Sequence, residues 1–277
     1  MNKTKVKIPA KINLTLDVVG KDQNFHNLNS LVASINLYDA ITLRKNKSKK
    51  ITLIEKGIKA GCEKDENNAV KTAKLVLEKY ADFGLDIAIK KCIPVGAGLG
   101  GSSADVAGVL VGCDMFLDGT LDLYNLAKSL GSDVNYMLLG GFAVISGKGD
   151  EVKSINTDQT LYLIIITEDK CITSKECFKK FDELNVKDTP VTEKAVKLLS
   201  TDVSEFLKTL KNDLYLPATY VMPKIKENYN LLKSFGPAVM TGSGTAVLGV
   251  YEDRKTRNKV AKALNRRKIK FIKAKTI

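Results

Sequence analysis

The sequence predicts an α+β protein with two domains, and two features of its apolar pattern indicate this. Segments in which polar and apolar residues alternate, as in half-buried antiparallel strands, are mixed with helical segments without strict alternation of strand and helix. The mixture of strands and helices also begins again near residue 161, which predicts a domain boundary close to residue 156. We therefore expect one domain over residues 1–155, a second over residues 156–277, and antiparallel sheets.

The first half of the chain begins with strands and continues with helices. Strands are predicted over residues 6–19, 30–43, 51–54, 85–89 and 140–147. Residues 69–80 repeat apolar side chains at helical spacing, and Asn68 is the expected N-cap of that helix. Residues 103–117 are apolar on nearly every helical face, so we expect this helix in the core. A third helix, over residues 121–130, should end at Gly131.

The second half repeats the mixture of strands and helices. Strands are predicted over residues 161–167, up to 241, over 245–251 and over 268–274. Helices are predicted over residues 174–184, near 192–210 and 223–234, and over 254–266. With 277 residues and 44% hydrophobic content, the chain is long enough for two domains that each bury a core.

The charge of the chain is strongly positive, with a formal net charge of +13. Such a chain attracts anionic partners, among them nucleic acids and phosphorylated small molecules. The basic residues are nevertheless scattered and mixed with acidic ones. Aromatic residues make up only 6% and include no tryptophan, so a stacking surface for single strands is not expected. We expect solvated lysines and small anionic substrates, and no nucleic-acid partner.

The five cysteines are odd in number and lack paired spacing, which is typical of free thiols in a reducing cytoplasm. No apolar run approaches the length of a transmembrane helix, so we expect a cytoplasmic protein without a membrane partner. A single histidine, His26, excludes a histidine-rich metal site.

The most informative segment is residues 93–105, which read IPVGAGLGGSSAD and lead into the apolar helix. Glycines turn the backbone tightly and expose its N–H groups, and the helix adds its own unpaired N–H groups and the positive end of its dipole. Together these features favour phosphate binding. Ser102 is expected to cap the helix, with Asp105 completing a capping box.

Two common nucleotide-binding motifs do not describe this segment. No lysine follows Gly101, so the pattern of P-loop NTPases is missing. Gly96, Gly98 and Gly101 do match the GxGxxG spacing of dinucleotide-binding folds. However, the preceding residues 85–93 alternate polar and apolar, whereas the first strand of that fold is buried on both faces.

Three further segments contain candidate functional residues. Lys11 and Asn13 lie on one face of an early strand, and Asp133 follows Gly131 at the end of a helix. Residues 241–247, TGSGTAV, form a second glycine-rich turn that enters a strand. Taken singly, each has an ordinary structural explanation as a surface, cap or turn residue.

Taken in order, these segments resemble the motifs of the GHMP kinases. The matching segments are PAKIN at residues 9–13, PVGAGLGGSSA at 94–104, GSD at 131–133 and GSGTA at 242–246. The resemblance implies an N-terminal domain of the ribosomal protein S5 domain 2-like α/β type and a ferredoxin-like α+β C-terminal domain. It also implies a kinase that uses ATP and Mg²⁺.

A narrower resemblance concerns the acceptor. PAKINL followed by Phe25 and His26, together with residues 171–178, is similar to the branch of the family that acts in the methylerythritol phosphate route to isoprenoids. That branch phosphorylates the 2-hydroxyl of a cytidine diphosphate-linked methylerythritol. An acceptor of the homoserine or mevalonate type remains an alternative, and so does a non-catalytic nucleotide- or nucleic-acid-binding module. We expect a monomer or a weak homodimer.

The resemblance assigns the catalytic and ATP-binding roles. Asp133 would take or orient the proton of the acceptor hydroxyl, and Lys11 would keep Asp133 ionised and stabilise charge on the transferred phosphate. The residues implied to bind ATP are Pro94, Val95, Gly96, Ala97, Gly98, Leu99, Gly100, Gly101, Ser102, Ser103, Asn68 and Lys91. Ser103 is also the residue implied to lie near Mg²⁺.

The resemblance also assigns acceptor-binding roles. Asn13 would orient the acceptor, Phe25 would stack on cytosine, and His26 would hydrogen-bond the edge of that base. The complete implied set is Asn13, Phe25, His26, Ser174, Gly242, Ser243, Gly244 and Thr245. Two segments depart from the family pattern. Residues 23–26 read QNFH where DGYH is usual, so Phe25 replaces a tyrosine, and Asn135 stands where a proline is usual.

Overall fold

The computed structural model describes residues 1–22, 25–58 and 66–277 and divides the chain into two compact units. The first unit comprises Met1–Ala10, Leu37–Val95 and Gly100–Gly140, and the second comprises Lys11–Asn36, Gly96–Leu99 and Gly141–Ile277. Strands β1 (Lys3–Asn13) and β3 (Phe25–Asn46) contribute residues to both. The division of the domains at residue 156 stays a proposal.

The first unit combines strands with helices. Its further elements are β4 (Ile51–Gly57), α1 (Asn68–Tyr80), β5 (Gly84–Lys91), α2 (Gly101–Phe116), α3 (Leu123–Leu130) and α4 (Val134–Leu139). Strand β5 pairs antiparallel with the second half of β3 and parallel with β4. Helix α2 contacts the other three helices.

Helix α2 is buried along most of its length, which confirms the prediction of a core helix. Two glycines allow it to approach the sheet closely. A Cβ atom at Gly108 would lie 2.5 Å from Ile41 Cδ1, and one at Gly112 would lie 2.5 Å from Leu43 Cδ1. Larger residues at these two positions would force the helix away from β3.

The second unit contains a four-stranded antiparallel sheet in the order β10, β11, β8, β12. These strands are β8 (Tyr162–Ile166), β10 (Ala238–Met240), β11 (Val247–Tyr251) and β12 (Ile272–Lys275). The helices are α5 (Ser174–Leu184), α6 (Thr192–Leu199), α7 (Val203–Leu207), α8 (Tyr215–Val221), α9 (Lys224–Lys233) and α10 (Arg254–Arg266). Buried residues of this sheet and of α5, α8, α9 and α10 form one apolar core.

The same unit contains β2 (Thr15–Asp22), β6 (Phe142–Gly147), β7 (Glu151–Ile155) and the short β9 (Lys211–Asn212). The first half of β3 pairs antiparallel with β2 and with β6, and β6 pairs antiparallel with β7. Strand β9 pairs parallel with β2. Within the described ranges, no helix is long and apolar enough to span a bilayer.

Several expectations about the elements were wrong. The predicted strand 6–19 is two strands, because the chain bends at Leu14. The predicted helix 192–210 is two helices, since Asp202 caps a new one by accepting a hydrogen bond from the N–H of Glu205. Parallel pairing of β4 with β5 and of β2 with β9 corrects the expectation of antiparallel sheets. An alternating pattern reports burial of one strand face and does not report strand direction.

Candidate active site

The glycine loop, residues 96–101, has a left-handed backbone at every second position. The φ angles are +64° at Gly96, +76° at Gly98 and +74° at Gly100. Residues with a side chain rarely adopt these angles. Alternation of this kind turns successive backbone N–H groups toward one concave side, which is a binding surface for anions. The predicted phosphate-binding segment therefore has a conformation suited to that task.

Helix α2 begins without a side-chain cap, because Gly100 occupies its N-cap position. The expectation that Ser102 caps the helix, with Asp105 completing a capping box, was wrong. Ser102 Oγ accepts a 2.8 Å hydrogen bond from Asn68 Nδ2, and Asp105 is ion-paired with Lys91. The N-cap residue of α2 therefore provides no side-chain acceptor for the first N–H groups of the helix. The helix dipole favours an anion at this end.

Asn67 caps helix α1, which corrects the prediction of Asn68. Asn67 Oδ1 accepts a 2.9 Å hydrogen bond from the N–H of Ala69. Two successive asparagines give the same capping signal in the sequence, and only the backbone shows which of them precedes the first turn. Asn68 lies in that first turn, where it contacts Ser102. The structure thus brings together two of the residues that the sequence predicts for ATP.

Lys91 lies between two buried carboxylates. Its Nζ is 2.7 Å from Asp39 Oδ2 and 2.6 Å from Asp105 Oδ2, and the three side chains are 2%, 0% and 6% exposed. Lys91 Nζ also donates to the carbonyl of Gly101 at 3.3 Å. This arrangement gives Lys91 a structural role at the start of α2, and its contact with a nucleotide stays a prediction.

One ammonium group does not compensate for the burial of two carboxylates. Burial raises the pKa of Asp105 to about 7, although Lys91 opposes this shift. Burial lowers the pKa of Lys91, but Asp105 and Asp39 outweigh it, so the net shift is upward. Lys91 is therefore charged over the physiological range, and Asp105 changes its protonation near neutral pH.

Asp133 occupies the N-cap position of α4, and its side chain makes no capping hydrogen bond to that helix. The ordinary explanation of this residue as a helix cap is therefore not the one the structure gives. Asp133 belongs to the first unit and Lys11 to the second. The pairing of these two residues stays a prediction.

Lys11 and Asn13 face the same side of β1, as predicted, and their side chains are hydrogen-bonded. Lys11 Nζ donates to Asn13 Oδ1 at 2.8 Å, and the two residues are 5% and 4% exposed. The same oxygen accepts a 3.0 Å bond from the N–H of Gly242, while Asn13 Nδ2 donates to Ser30 Oγ at 2.7 Å. Asn13 thus joins Lys11 to the second glycine turn, residues 241–245.

The second glycine turn brings together two predicted acceptor-binding serines. The hydroxyl oxygens of Ser174 and Ser243 are 3.2 Å apart. Gly242 and Gly244 have positive φ angles of 57° and 97°. Thr245 is fully buried, and its hydroxyl accepts a 3.4 Å bond from the N–H of Glu168. The assigned role of this threonine at an acceptor stays a prediction.

The predicted base-binding residues Phe25 and His26 are the first two residues of β3. Phe25 is 56% exposed, and Lys148 Nζ lies 4.6 Å from the centre of its ring. The His26 ring is stacked on Phe178, with centroids 4.7 Å apart, and its Nε2 lies 2.7 Å from Asp182 Oδ1. The imidazole is therefore held in one orientation, while more than half of Phe25 is exposed to solvent.

The sequence reasoning missed Phe178 and Asp182. Hydrogen bonds from Lys21 and His26 hold the pKa of Asp182 below its usual range. Phe178 and Asp182 are four residues apart on α5, so they project from one side of that helix. This spacing was the available signal, but only the fold shows that His26 lies against it.

Comparisons with known proteins identify the family of the chain. Residues 67–143 match the model of the GHMP kinases N terminal domain, and residues 194–270 match that of the GHMP kinases C terminal. The chain is 34% identical over 263 residues to a 4-diphosphocytidyl-2-C-methyl-D-erythritol kinase of Clostridium botulinum, covering 90% of this chain and 91% of that protein. A relative of the same name from Thermosipho africanus is also 34% identical over 263 residues, covering 89% of this chain and 90% of that protein.

Solved structures give the same result for the fold. A crystal structure of 4-(cytidine 5'-diphospho)-2C-methyl-D-erythritol kinase superimposes with a TM-score of 0.83 at 27% identity, covering 98% of both chains. A crystal structure of L. major mevalonate kinase superimposes with a TM-score of 0.79 at 15% identity, covering 99% of this chain and 97% of that one, which shows a shared fold alone.

The chain belongs to the GHMP kinase family, which confirms the predicted family and fold class. Membership of this kinase family implies ATP as the phosphoryl donor. Within the family, the relatives that match about nine tenths of the chain are 4-diphosphocytidyl-2-C-methyl-D-erythritol kinases.

Proposed function

We propose that the chain transfers the γ-phosphoryl group of ATP to the 2-hydroxyl of 4-diphosphocytidyl-2-C-methyl-D-erythritol. The products are the 2-phosphate and ADP, and the reaction belongs to the methylerythritol phosphate route to isopentenyl diphosphate. The observation that carries the proposal is the similarity to kinases of that name at 34% identity over about nine tenths of the chain. The alternating left-handed glycine loop supports it, because that conformation suits phosphate.

The ATP phosphates would lie against the N–H groups of the glycine loop and the first turn of α2. Ser103, half-buried in that turn, supplies a hydroxyl oxygen of the kind that Mg²⁺ accepts beside phosphate oxygens. When bound with ATP, Mg²⁺ neutralises charge on the phosphates.

Asp133 would accept or orient the proton of the acceptor hydroxyl. Because its carboxylate is not used to cap α4, this task is compatible with its place in the fold. Lys11 would stabilise negative charge that develops on the transferred group. The hydrogen bond from Lys11 Nζ to Asn13 supports this role, since it fixes the position of the ammonium.

The cytosine base would stack on the exposed ring of Phe25 and hydrogen-bond to His26. Stacking on Phe178 and the bond to Asp182 orient the imidazole for this contact. The second glycine turn and Ser174 would close around the acceptor. A cytoplasmic location and a monomeric or weakly dimeric state stay predictions.

A coupled assay of ADP release with a panel of acceptors tests the proposed function. We expect turnover with the cytidine acceptor and none with homoserine or mevalonate. Turnover with either of the latter, without reaction of the cytidine compound, would contradict the proposed acceptor. Strongly salt-dependent binding of DNA or RNA without ATP turnover would instead favour a non-catalytic binding module.

A further inference from the structure

Three successive carbonyl groups of the glycine loop accept hydrogen bonds within the second unit. The carbonyls of Ala97 and Leu99 accept from backbone N–H groups at 3.1 Å and 3.0 Å. Between them, the carbonyl of Gly98 accepts from Thr241 Oγ1 at 3.3 Å. The middle bond of the three therefore depends on a side chain, and a substitution can remove it.

These bonds determine the direction of the N–H groups in the loop. In a trans peptide, the C=O and N–H bonds point in opposite directions. The carbonyl of Gly98 points to Thr241, so the N–H of Leu99, in the same peptide, points away from Thr241. That N–H is one of the groups assigned to the ATP phosphates.

The bond from Thr241 opposes rotation of the Gly98–Leu99 peptide. Gly98 has a φ of +76°, and glycine rotates between backbone regions at little cost. A rotated peptide would present its carbonyl oxygen, in place of an N–H, to a triphosphate. Electrostatic repulsion between the two would oppose binding.

The hydroxyl of Thr241 is itself oriented. Thr241 is fully buried, and its Oγ1 accepts a 2.8 Å hydrogen bond from the N–H of Asn13. The single hydroxyl proton is then shared between the carbonyl of Gly98 and Asn13 Oδ1, each 3.3 Å away. Its contact with β1 thus fixes Thr241 as the donor to the loop.

We propose that Thr241 is a positioning residue of the phosphate site, which acts on ATP through the Gly98–Leu99 peptide and makes no contact with ATP itself. The inference rests on the proposed function for the location of the phosphates. Thr241 is not among the residues to which the motifs assign a role. Its hydrogen bond to Gly98 joins the second glycine turn to the glycine loop.

Thr241→Val tests this role, because valine keeps the shape of threonine and loses the hydroxyl. We expect calorimetry to show that the affinity for ATP falls about tenfold, because the N–H of Leu99 would lose its charge-assisted hydrogen bond to a phosphate. Affinity for adenosine, which has no phosphates, should stay within about twofold of wild type. Thr241→Ser, which restores the hydroxyl, should bind ATP within about twofold of wild type.

Thr276→Val is a matched control. Thr276 is 2% exposed, and its hydroxyl accepts a 2.9 Å bond from the N–H of Leu161, so both valine variants leave one buried N–H without its acceptor. We expect the two variants to lose similar thermal stability, while Thr276→Val keeps its affinity for ATP.

Unchanged ATP affinity in Thr241→Val would overturn the inference, and so would an equal loss of ATP affinity in Thr276→Val. It would also be overturned if Thr241→Val lost as much affinity for adenosine as for ATP, or if Thr241→Ser bound ATP as weakly as Thr241→Val. Binding is measured without an acceptor. A wild-type protein that binds ATP but does not phosphorylate the cytidine compound therefore contradicts only the proposed acceptor. A wild-type protein that fails to bind ATP contradicts both.

Discussion

The ammonium group of Lys91 lies 2.6 Å from the carboxylate of Asp105. Lys91 ends strand β5, before the glycine loop, and Asp105 lies in the second turn of α2, after it. The ion pair therefore closes the chain segment that contains the loop. Asp39 adds a second carboxylate and also accepts hydrogen bonds from the N–H groups of Cys92 and Ile93.

The first prediction concerns pH. The pKa of Asp105 is raised to about 7 in the folded protein, chiefly by burial, against about 3.9 in an unfolded chain. Between about pH 4 and about pH 7 the folded state binds more protons than the unfolded state, so the free energy of unfolding falls as pH rises through this window. Asp105→Asn removes this titration and should reduce the decline in the free energy of unfolding by on the order of 4 kcal/mol.

Urea denaturation at a series of pH values measures this effect. Asp253→Asn is the control, because Asp253 is an exposed N-cap of α10 and asparagine also caps helices. An Asp105→Asn variant that keeps the wild-type decline would show that another group causes it.

The second prediction concerns Lys91→Met. This variant leaves two buried carboxylates without their cation, so we expect the free energy of unfolding to fall by about 3 to 5 kcal/mol near neutral pH. The loss should be smaller in acid, where the carboxyl group of Asp105 is protonated. Lys71→Met is the control, because the Lys71–Glu66 pair is exposed and should contribute about 1 kcal/mol or less. Equal losses in the two variants would show that burial of the Lys91 cluster is unimportant.

The third prediction concerns Gly98→Ala. A Cβ atom at Gly98 would lie 2.3 Å from the carbonyl oxygen of Thr241, so the loop must move. Gly119 has the same φ of +76° with nothing within 4 Å of its Cβ position. Both alanine variants should lose about 1 kcal/mol through backbone strain, but only Gly98→Ala should also lose ATP affinity, by about tenfold or more. Calorimetric titration of both variants decides this, and equal ATP affinities would argue against a close fit at Gly98.

The fourth prediction concerns Asp133→Asn. Asparagine keeps the size of the side chain and removes its charge and basicity, so we expect kcat to fall by about 10²-fold or more while ATP affinity changes little. The control is Asp122→Asn, since Asp122 is an exposed cap of α3 and asparagine caps nearly as well. Coupled ADP release and calorimetry supply the two measurements. Near-normal turnover of Asp133→Asn would remove this residue from the catalytic role.

The fifth prediction concerns Phe25→Ala. Loss of a base-stacking ring costs about 1 to 3 kcal/mol, so the KM for the cytidine acceptor should rise about tenfold or more with little change in kcat. Tyr124→Ala is the control, because Tyr124 and Phe25 are both 56% exposed. If the two variants have the same acceptor KM, the base does not stack on Phe25.

Local signals in the sequence predicted many elements well. The predicted helices 174–184 and 254–266 match α5 and α10, because each begins at a side-chain cap followed by a run with helical periodicity. The burial of α2 also followed from its apolar composition. Short elements such as α4 and β9 were missed, since six residues or two carry too little periodicity to be distinguished from a loop.

The sequence motifs also located the candidate site in its parts. The motifs identified as candidates the glycine loop, Lys11 with Asn13, Asp133 and the second glycine turn. Small and charged residues are conspicuous at positions where apolar residues are expected. The contacts between residues remote in the sequence were not predicted. Asp182 lies 156 residues from His26, and Thr241 lies 143 residues from Gly98.

The sequence by itself determined the family, the phosphate-binding character of residues 93–105 and the residue types available for phosphoryl transfer, since these depend on local order and composition. The tertiary structure decided that Asn67 caps α1, that Asp105 pairs with Lys91 in place of capping α2, and that Thr241 holds the loop. A hydrogen bond or ion pair requires its atoms to be about 3 Å apart. Such distances between remote residues are set by strand register and helix packing, which no local pattern encodes.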